Sequence, residues 1–132
     1  MFETDVLGAR GARPDGRQRL ARVRHPRRPQ EAVALAPVRG FLATSGDYGY
    51  YWSLDYARNH IADPRRGVWP ADFASGAVKA SSGLMADALS LAAFLVGRLQ
   101  TPALLACFVA EDLFVGKDET LSRTSGFPIA VA

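Results

Sequence analysis

His60 and Asp63 are close enough in sequence to suggest an acid–base pair. One histidine and one aspartate in a loop are, however, far more often solvated surface residues than catalytic partners. His25 sits among arginines and prolines, a setting that disfavours both a proton and a metal. Cys107 falls in an apolar, helix-like segment, so a buried and inert thiol is expected; a nucleophilic cysteine needs an accessible, electropositive site. Asp55 and Asp72 would form a carboxylate pair if their strands were neighbours, but each reads more simply as an acceptor on a sheet surface. The chain has no phosphate loop, no dinucleotide-binding glycine pattern and no Gly-x-Ser-x-Gly elbow. These residues predict no enzyme, no catalytic group, no cofactor and no metal site.

Composition narrows the classes. The 132 residues fit a single domain, 1–132, and 48% apolar against 22% charged residues is a globular balance. A core this small gains by packing against a second copy. One cysteine excludes an internal disulfide framework and a multi-cysteine zinc site. The acidic start, with Glu3 and Asp5, does not resemble a signal peptide, and the apolar runs are too short for the roughly 20 residues of a membrane span. Charge is uneven: residues 1–39 carry nine arginines and four acids, whereas residues 40–132 carry seven basic and nine acidic side chains. Eight arginines lie between Arg10 and Arg28. Their planar forks suit phosphate, so this segment is either a nucleic-acid footprint or an ordinary solvated surface.

The elements follow from period and punctuation. Residues 2–7 and 20–25 read as two strands of a hairpin around Pro14-Asp15-Gly16, ended by Pro26 and Pro29. Residues 31–36 form a short strand. Val38–Thr44 and Tyr50–Ala57 then read as a hairpin about the turn Ser45–Gly49. In its second arm Tyr50, Trp52, Leu54 and Tyr56 would face the core, and Tyr51, Ser53, Asp55 and Ala57 the solvent or a ligand. Residues 58–68 form a loop, and a last strand runs over about 71–79, although Gly76 and the alanines weaken it. Sheet and hairpin thus fill 1–80. Two helices fill 81–116: the first capped by Ser81 or Ser82 with Leu84, Ala88, Leu91, Leu95 and Leu99 in helical phase, the second from Pro102 to Gly116. Residues 117–132 are left as a polar tail.

This order of elements resembles the coat proteins of single-stranded RNA bacteriophages, the levivirus family, and its Q-beta-like members above all. The similarity is carried by Leu7-Gly8, Gly11, Asp15-Gly16, Gln18 and Leu20 in the first hairpin, by residues 31–36, by Ala71-Asp72-Phe73, and by Leu91–Leu95 with Pro102–Leu105. The resemblance implies an α+β fold whose two C-terminal helices pack on a dimer partner. It also implies a homodimer that assembles into an icosahedral capsid around single-stranded genomic RNA, located in the virion and put together in the host cytoplasm. No membrane and no small-molecule substrate are implied, and an RNA hairpin bound on the inner sheet would make the protein a translational repressor.

Carried over residue by residue, the resemblance implies RNA contacts from Arg39, Tyr51, Ser53, Asp55 and Asp72. Tyr51 would stack on a base, the aspartates would accept from base amino groups and Arg39 would take phosphate. The loop with Arg58, His60, Pro64, Arg65 and Arg66 would join subunits of the shell. Leu84, Leu91, Phe94, Leu95, Leu105 and Phe108 would form the dimer interface. The alternative from another class is a small dimeric RNA-binding or partner-binding regulator that forms no particles.

Overall fold

The computed structural model describes residues 6–9, 13–37 and 39–129. Its elements are β1 (Val6–Ala9), β2 (Leu20–Arg24), β3 (Ala32–Pro37), β4 (Gly40–Gly46), β5 (Phe73–Ala80), α1 (Gly83–Val96), α2 (Thr101–Cys107), β6 (Glu111–Gly116) and β7 (Leu121–Arg123). Five strands make one antiparallel sheet in the order β1-β4-β5-β6-β7, and β2 pairs with β3 as a separate ribbon.

The period of two distributes the core to both faces of the five-stranded sheet. On one face Leu42, Ala77 and Leu113 meet Ala21, Val23 and Ala34 of the β2–β3 ribbon, together with Phe127. On the other, Val78 and Phe114 meet Leu89, Ala93 and Phe94 of α1, with Phe73 and Leu105 closing the cluster. The molecule is therefore three layers: helix, sheet, ribbon. Covered on both sides, β5 is buried from Phe73 to Val78. Its glycine and alanines, which argue against a strand by propensity, are what lets two layers approach it. Gly76 lies opposite Phe114 in the register, and a Cβ there would run into that ring.

Helix α1 starts at Ser82, whose hydroxyl accepts from the Met85 amide at 3.2 Å. It ends at Gly97, whose φ of 84° suits glycine and whose N–H returns to the Ala93 carbonyl. The buried side of the helix is Ala86, Leu89, Ser90, Ala93 and Phe94. Its outward side carries Leu84, Asp87, Ala88 and Leu91, all exposed.

Several expectations change. The first hairpin does not form as read: β1 pairs with β4, and β2 with β3. Residues 1–5, at the start of that expected strand, lie outside the described residues. Strand β4 continues through Ser45 and Gly46 instead of turning there. Residues 50–57 are not a strand: one bridge, Tyr51 to Asn59, holds a loop, and Tyr50, Trp52 and Leu54 are 77%, 69% and 94% exposed rather than core. Alternation in that stretch is real, but β5 already takes the edge of β4 that a hairpin arm would need. The second helix stops at Cys107 because Val109 adopts a φ of 52°, and residues 111–116 become a strand beside β5. The expected polar tail supplies β7 and the buried Phe127. Phe94 and Leu105, read as dimer contacts, are buried in the chain's own core, and both helices belong to that core. The thiol of Cys107 is exposed, not buried.

A buried ionic knot ties the layers together. Asp47, fully buried, takes two hydrogen bonds from the Arg27 guanidinium, at 2.6 and 2.8 Å, and a third contact from Lys117 Nζ at 3.1 Å. Arg27 also lies 3.9 Å over the Tyr56 ring, and Lys117 donates to the Tyr56 carbonyl at 3.0 Å. Its hydrogen bond to Asp47 is the main reason the Arg27 pKa rises. Replacing Asp47→Ala leaves two cations without their counter-charge, and urea unfolding is expected to show a loss of about 3–5 kcal/mol. Adding Arg27→Met and Lys117→Met to that variant should restore most of the loss.

Candidate functional site

A cavity of about 580 Å³ opens beside α1. Strand β4 brings Thr44, Ser45 and Gly46 to it, the following turn brings Tyr48, Gly49 and Tyr50, and α1 lines the far wall with Asp87, Leu91 and Leu95. His60, Ile61, Ala62 and Pro64 close it from the loop side. The walls are thus two tyrosines, an imidazole and three branched aliphatic residues, with few polar groups among them. Asp87 is the only charged residue within α1 and it stands on the cavity wall.

Local chemistry fixes the lining. The Tyr48 ring lies where a Cβ on Gly46 would have to be, so glycine at 46 permits that wall. From the other layer, Arg24 of β2 sits 5.0 Å over the same ring. Asn59, almost wholly buried, gives its amide N–H to the Tyr56 carbonyl and accepts the Ile61 N–H at 2.8 Å. Its own carbonyl accepts from Trp69 Nε1 at 2.7 Å. These three bonds hold the loop so that His60 and Ile61 face the cavity. The Tyr50 carbonyl accepts both the His60 amide, at 2.9 Å, and Nδ1 of its ring, at 3.2 Å. A carbonyl cannot donate, so Nδ1 is the donor in this contact.

Strand and helix meet at the cavity's base through two hydroxyls. Ser90 Oγ lies 2.9 Å from the Asp87 carbonyl and 2.8 Å from Ser45 Oγ.

The residues singled out from sequence spread over several places. His60 and Pro64 do line the cavity, in a role the sequence did not suggest for them. Asp63 is buried and does not pair with His60; its carboxylate takes Nε and Nη2 of Arg65 at 3.1 and 3.0 Å. Arg66 borders a smaller cavity of about 250 Å³ with Trp69, Asp72 and Gly97. Arg58 lies 5.9 Å from the Trp69 ring. Tyr51 stacks on Tyr56, with centroids 4.6 Å apart, and Ser53 accepts the Arg58 amide. Asp55 and Asp72 are not a pair. The first accepts the Ala57 amide, and its pKa is lowered chiefly by Ser53; the second accepts the Arg98 amide beyond the end of α1. Arg39 is exposed just ahead of β4. Among the expected dimer residues, Leu91 and Leu95 line the cavity, while Leu84 and Phe108 are exposed. His25 is buried, and its Nδ1 accepts the amides of Arg27 and Arg28.

Sequence reading missed Ser45, Tyr48, Leu91 and Asp87 as a group. The only signal was the outward apolar stripe on α1 carrying a single carboxylate. The arginine-rich segment is partly spent inside the fold: Arg27 binds Asp47, Arg28 binds Glu31 and Glu119, and Arg22 donates to the Pro29 carbonyl. Among the described residues, no three histidine, cysteine or acidic side chains are grouped to hold a metal, and no helix is long and apolar enough to cross a membrane.

Comparison with known proteins identifies the family. The model of the ApbE family matches residues 4–113. Similar solved structures include the ApbE protein of Thermotoga maritima, 27% identical with a TM-score of 0.74 over 87% of this chain and 38% of that one. The flavinyl transferase ApbE of Pseudomonas stutzeri is 30% identical, with a TM-score of 0.68 over 92% of this chain and 39% of its own. The flavin transferase ApbE of Vibrio cholerae, at 22% identity and a TM-score of 0.71 over 90% and 39%, shares the fold. The chain thus spans about two-fifths of the length of these relatives. Among curated proteins none matches.

These matches overturn the phage-coat resemblance, and with it the coat fold, the capsid and virion location, the RNA partner, the repressor role and the regulator alternative. They also run against the expectations of no enzyme and no small-molecule substrate, since the family's solved members include one named a flavinyl transferase. The expected order, a hairpin followed by strands and then two helices, carried that resemblance; the pairing of β1 with β4 and the two strands after α2 depart from it.

The turn that seats Pro64 against the cavity depends on Asp63. Hydrogen bonding from Arg65 holds its carboxyl below the usual 3.8. A depressed folded pKa contributes stability above the unfolded value and loses it as pH falls through the folded one. The Asp63 carboxyl carbon is expected to titrate by NMR with a midpoint below 3.8, and Arg65→Ala to raise that midpoint.

Proposed function

The chain belongs to the ApbE family, and from that we propose that it binds a flavin in the α1 cavity as part of a flavin-transfer site. The observation that carries this reading is the cavity itself: about 580 Å³, walled by Tyr48, Tyr50, His60, Ile61, Leu91 and Leu95. Ligand sites for flat heteroaromatic rings have this make-up, mostly apolar with a few placed polar groups. The names of two solved relatives, a flavin transferase and a flavinyl transferase, point to the same ligand.

The roles follow from the geometry. The tyrosines and aliphatic side chains would sandwich the ring system and exclude water. Asp87, at the exposed wall, would accept hydrogen bonds from the hydroxyls of the ribityl chain. In transfer, an acceptor hydroxyl would lose its proton as it attacks the flavin-side phosphorus of the dinucleotide, the new O–P bond replacing the pyrophosphate bond while the nucleoside monophosphate leaves. His60 suits that step: with Nδ1 donating to the Tyr50 carbonyl, Nε2 of the neutral ring is a base. The substrate would be a flavin nucleotide such as FAD, and the second substrate a protein.

Titration with FAD, followed by quenching of flavin fluorescence, is expected to show saturable binding. Leu91→Arg, which puts a cation into the apolar wall, should weaken it at least about tenfold. His60→Ala should change binding little but slow covalent flavin attachment, followed by mass spectrometry of the acceptor, by about 10²–10⁴-fold. A folded chain that shows no saturable quenching overturns the reading.

A further inference from the structure

Ser45 and Ser90 form a hydroxyl relay whose direction is set by a third group. Ser90 Oγ has one proton and two oxygen neighbours, the Asp87 carbonyl at 2.9 Å and Ser45 Oγ at 2.8 Å. The carbonyl can only accept. Both contacts are hydrogen bonds only if Ser90 gives its proton to the carbonyl and Ser45 gives its own to Ser90. The reverse assignment forfeits one bond inside a site where Ser90 is fully buried. The Ser45 proton is therefore committed to α1, while Ser45 itself is one of the residues that line the cavity.

We infer that Ser45 is presented to the cavity as a hydrogen-bond acceptor only, and that it selects for a ring N–H in the ligand. Resting on the flavin reading above, this assigns Ser45 to the N3–H of the isoalloxazine ring, the one N–H that the oxidised ring system carries. The flanking carbonyls of the same ring edge are acceptors and do not suit Ser45. Ser90 acts one step away as a positioning residue: it touches no ligand but decides what Ser45 offers. Its own direction is fixed by the helix, since the Asp87 carbonyl that accepts its proton lies three residues earlier, about one turn away.

The test compares riboflavin with 3-methylriboflavin, in which the N–H is replaced by N–CH3, by equilibrium fluorescence titration of the full chain. The expected preference for riboflavin is about three- to tenfold or more, the worth of one neutral hydrogen bond plus the bulk of the methyl group. Ser45→Ala should weaken riboflavin binding by about three- to tenfold and shrink the preference. Ser90→Ala leaves Ser45 in place but frees its proton to turn into the cavity, so the preference should shrink there too. A purely structural role for Ser90 would weaken both flavins equally. If both flavins bind saturably and Ser45→Ala leaves their ratio unchanged, the acceptor role is overturned and the flavin site stands. If neither binds to the folded wild-type chain, both readings fall.

Discussion

The corner at which β4 gives way to the cavity wall is anchored by one buried carboxylate. Asp47 follows β4 directly, its N–H donates to the Ala74 carbonyl of β5, and its side chain is shared by Arg27 from the β2–β3 ribbon and Lys117 from the end of β6. A charge fully removed from water needs partners on every side to be tolerated. Those partners come from two segments far apart in the chain, so the carboxylate forces them to one point. The very next residue is Tyr48, a wall of the cavity. The knot thus does more than hold the layers: it sets where the chain leaves the sheet and turns toward the site.

The two faces of the sheet are unequal in what they ask of the layers above them. The ribbon side needs only a cover for Leu42, Ala77 and Leu113. The helix side packs Phe73, Phe94 and Phe114, with ring centroids 4.3 and 6.3 Å apart. Strand β4 and α1 meet through the Ser45 and Ser90 hydroxyls, and the cavity opens beside them. Of the apolar sides of α1, one meets the sheet and the next lines the cavity, while Leu84 stays exposed.

How much of this was legible in the sequence depends on the kind of signal. Helix α1 was readable because its cap and its period agree, although the phase was carried to Leu99, past the helix end at Val96. The β5 strand was readable only faintly, since Gly76 and its alanines report packing on both faces rather than strand propensity. Residues 50–57 misled: their alternation is a genuine strand pattern, but the partner edge belongs to a segment more than twenty residues later, which no local pattern shows. The second helix was overextended because Leu113 falls in helical phase with Val109 by coincidence, while Val109 itself turns the chain. As for the site, His60 was noticed but given the wrong neighbour. Its true partner is a backbone carbonyl ten residues earlier, and backbone partners leave no trace in residue types. An expected order of elements drew the coat comparison, and order is a weaker witness than the side chains that meet.

The Arg24 guanidinium over the Tyr48 ring joins the β2–β3 ribbon to the cavity wall, although the ribbon lies on the opposite side of the sheet. Arg27, at the ribbon's turn, reaches the same corner through Asp47. Local opening of the ribbon therefore withdraws support from the wall, and occupancy of the cavity opposes that opening by the same free energy. Such reciprocity makes the ribbon's amide protons a remote gauge of the site: their exchange with solvent slows as the cavity fills, though no ligand touches them.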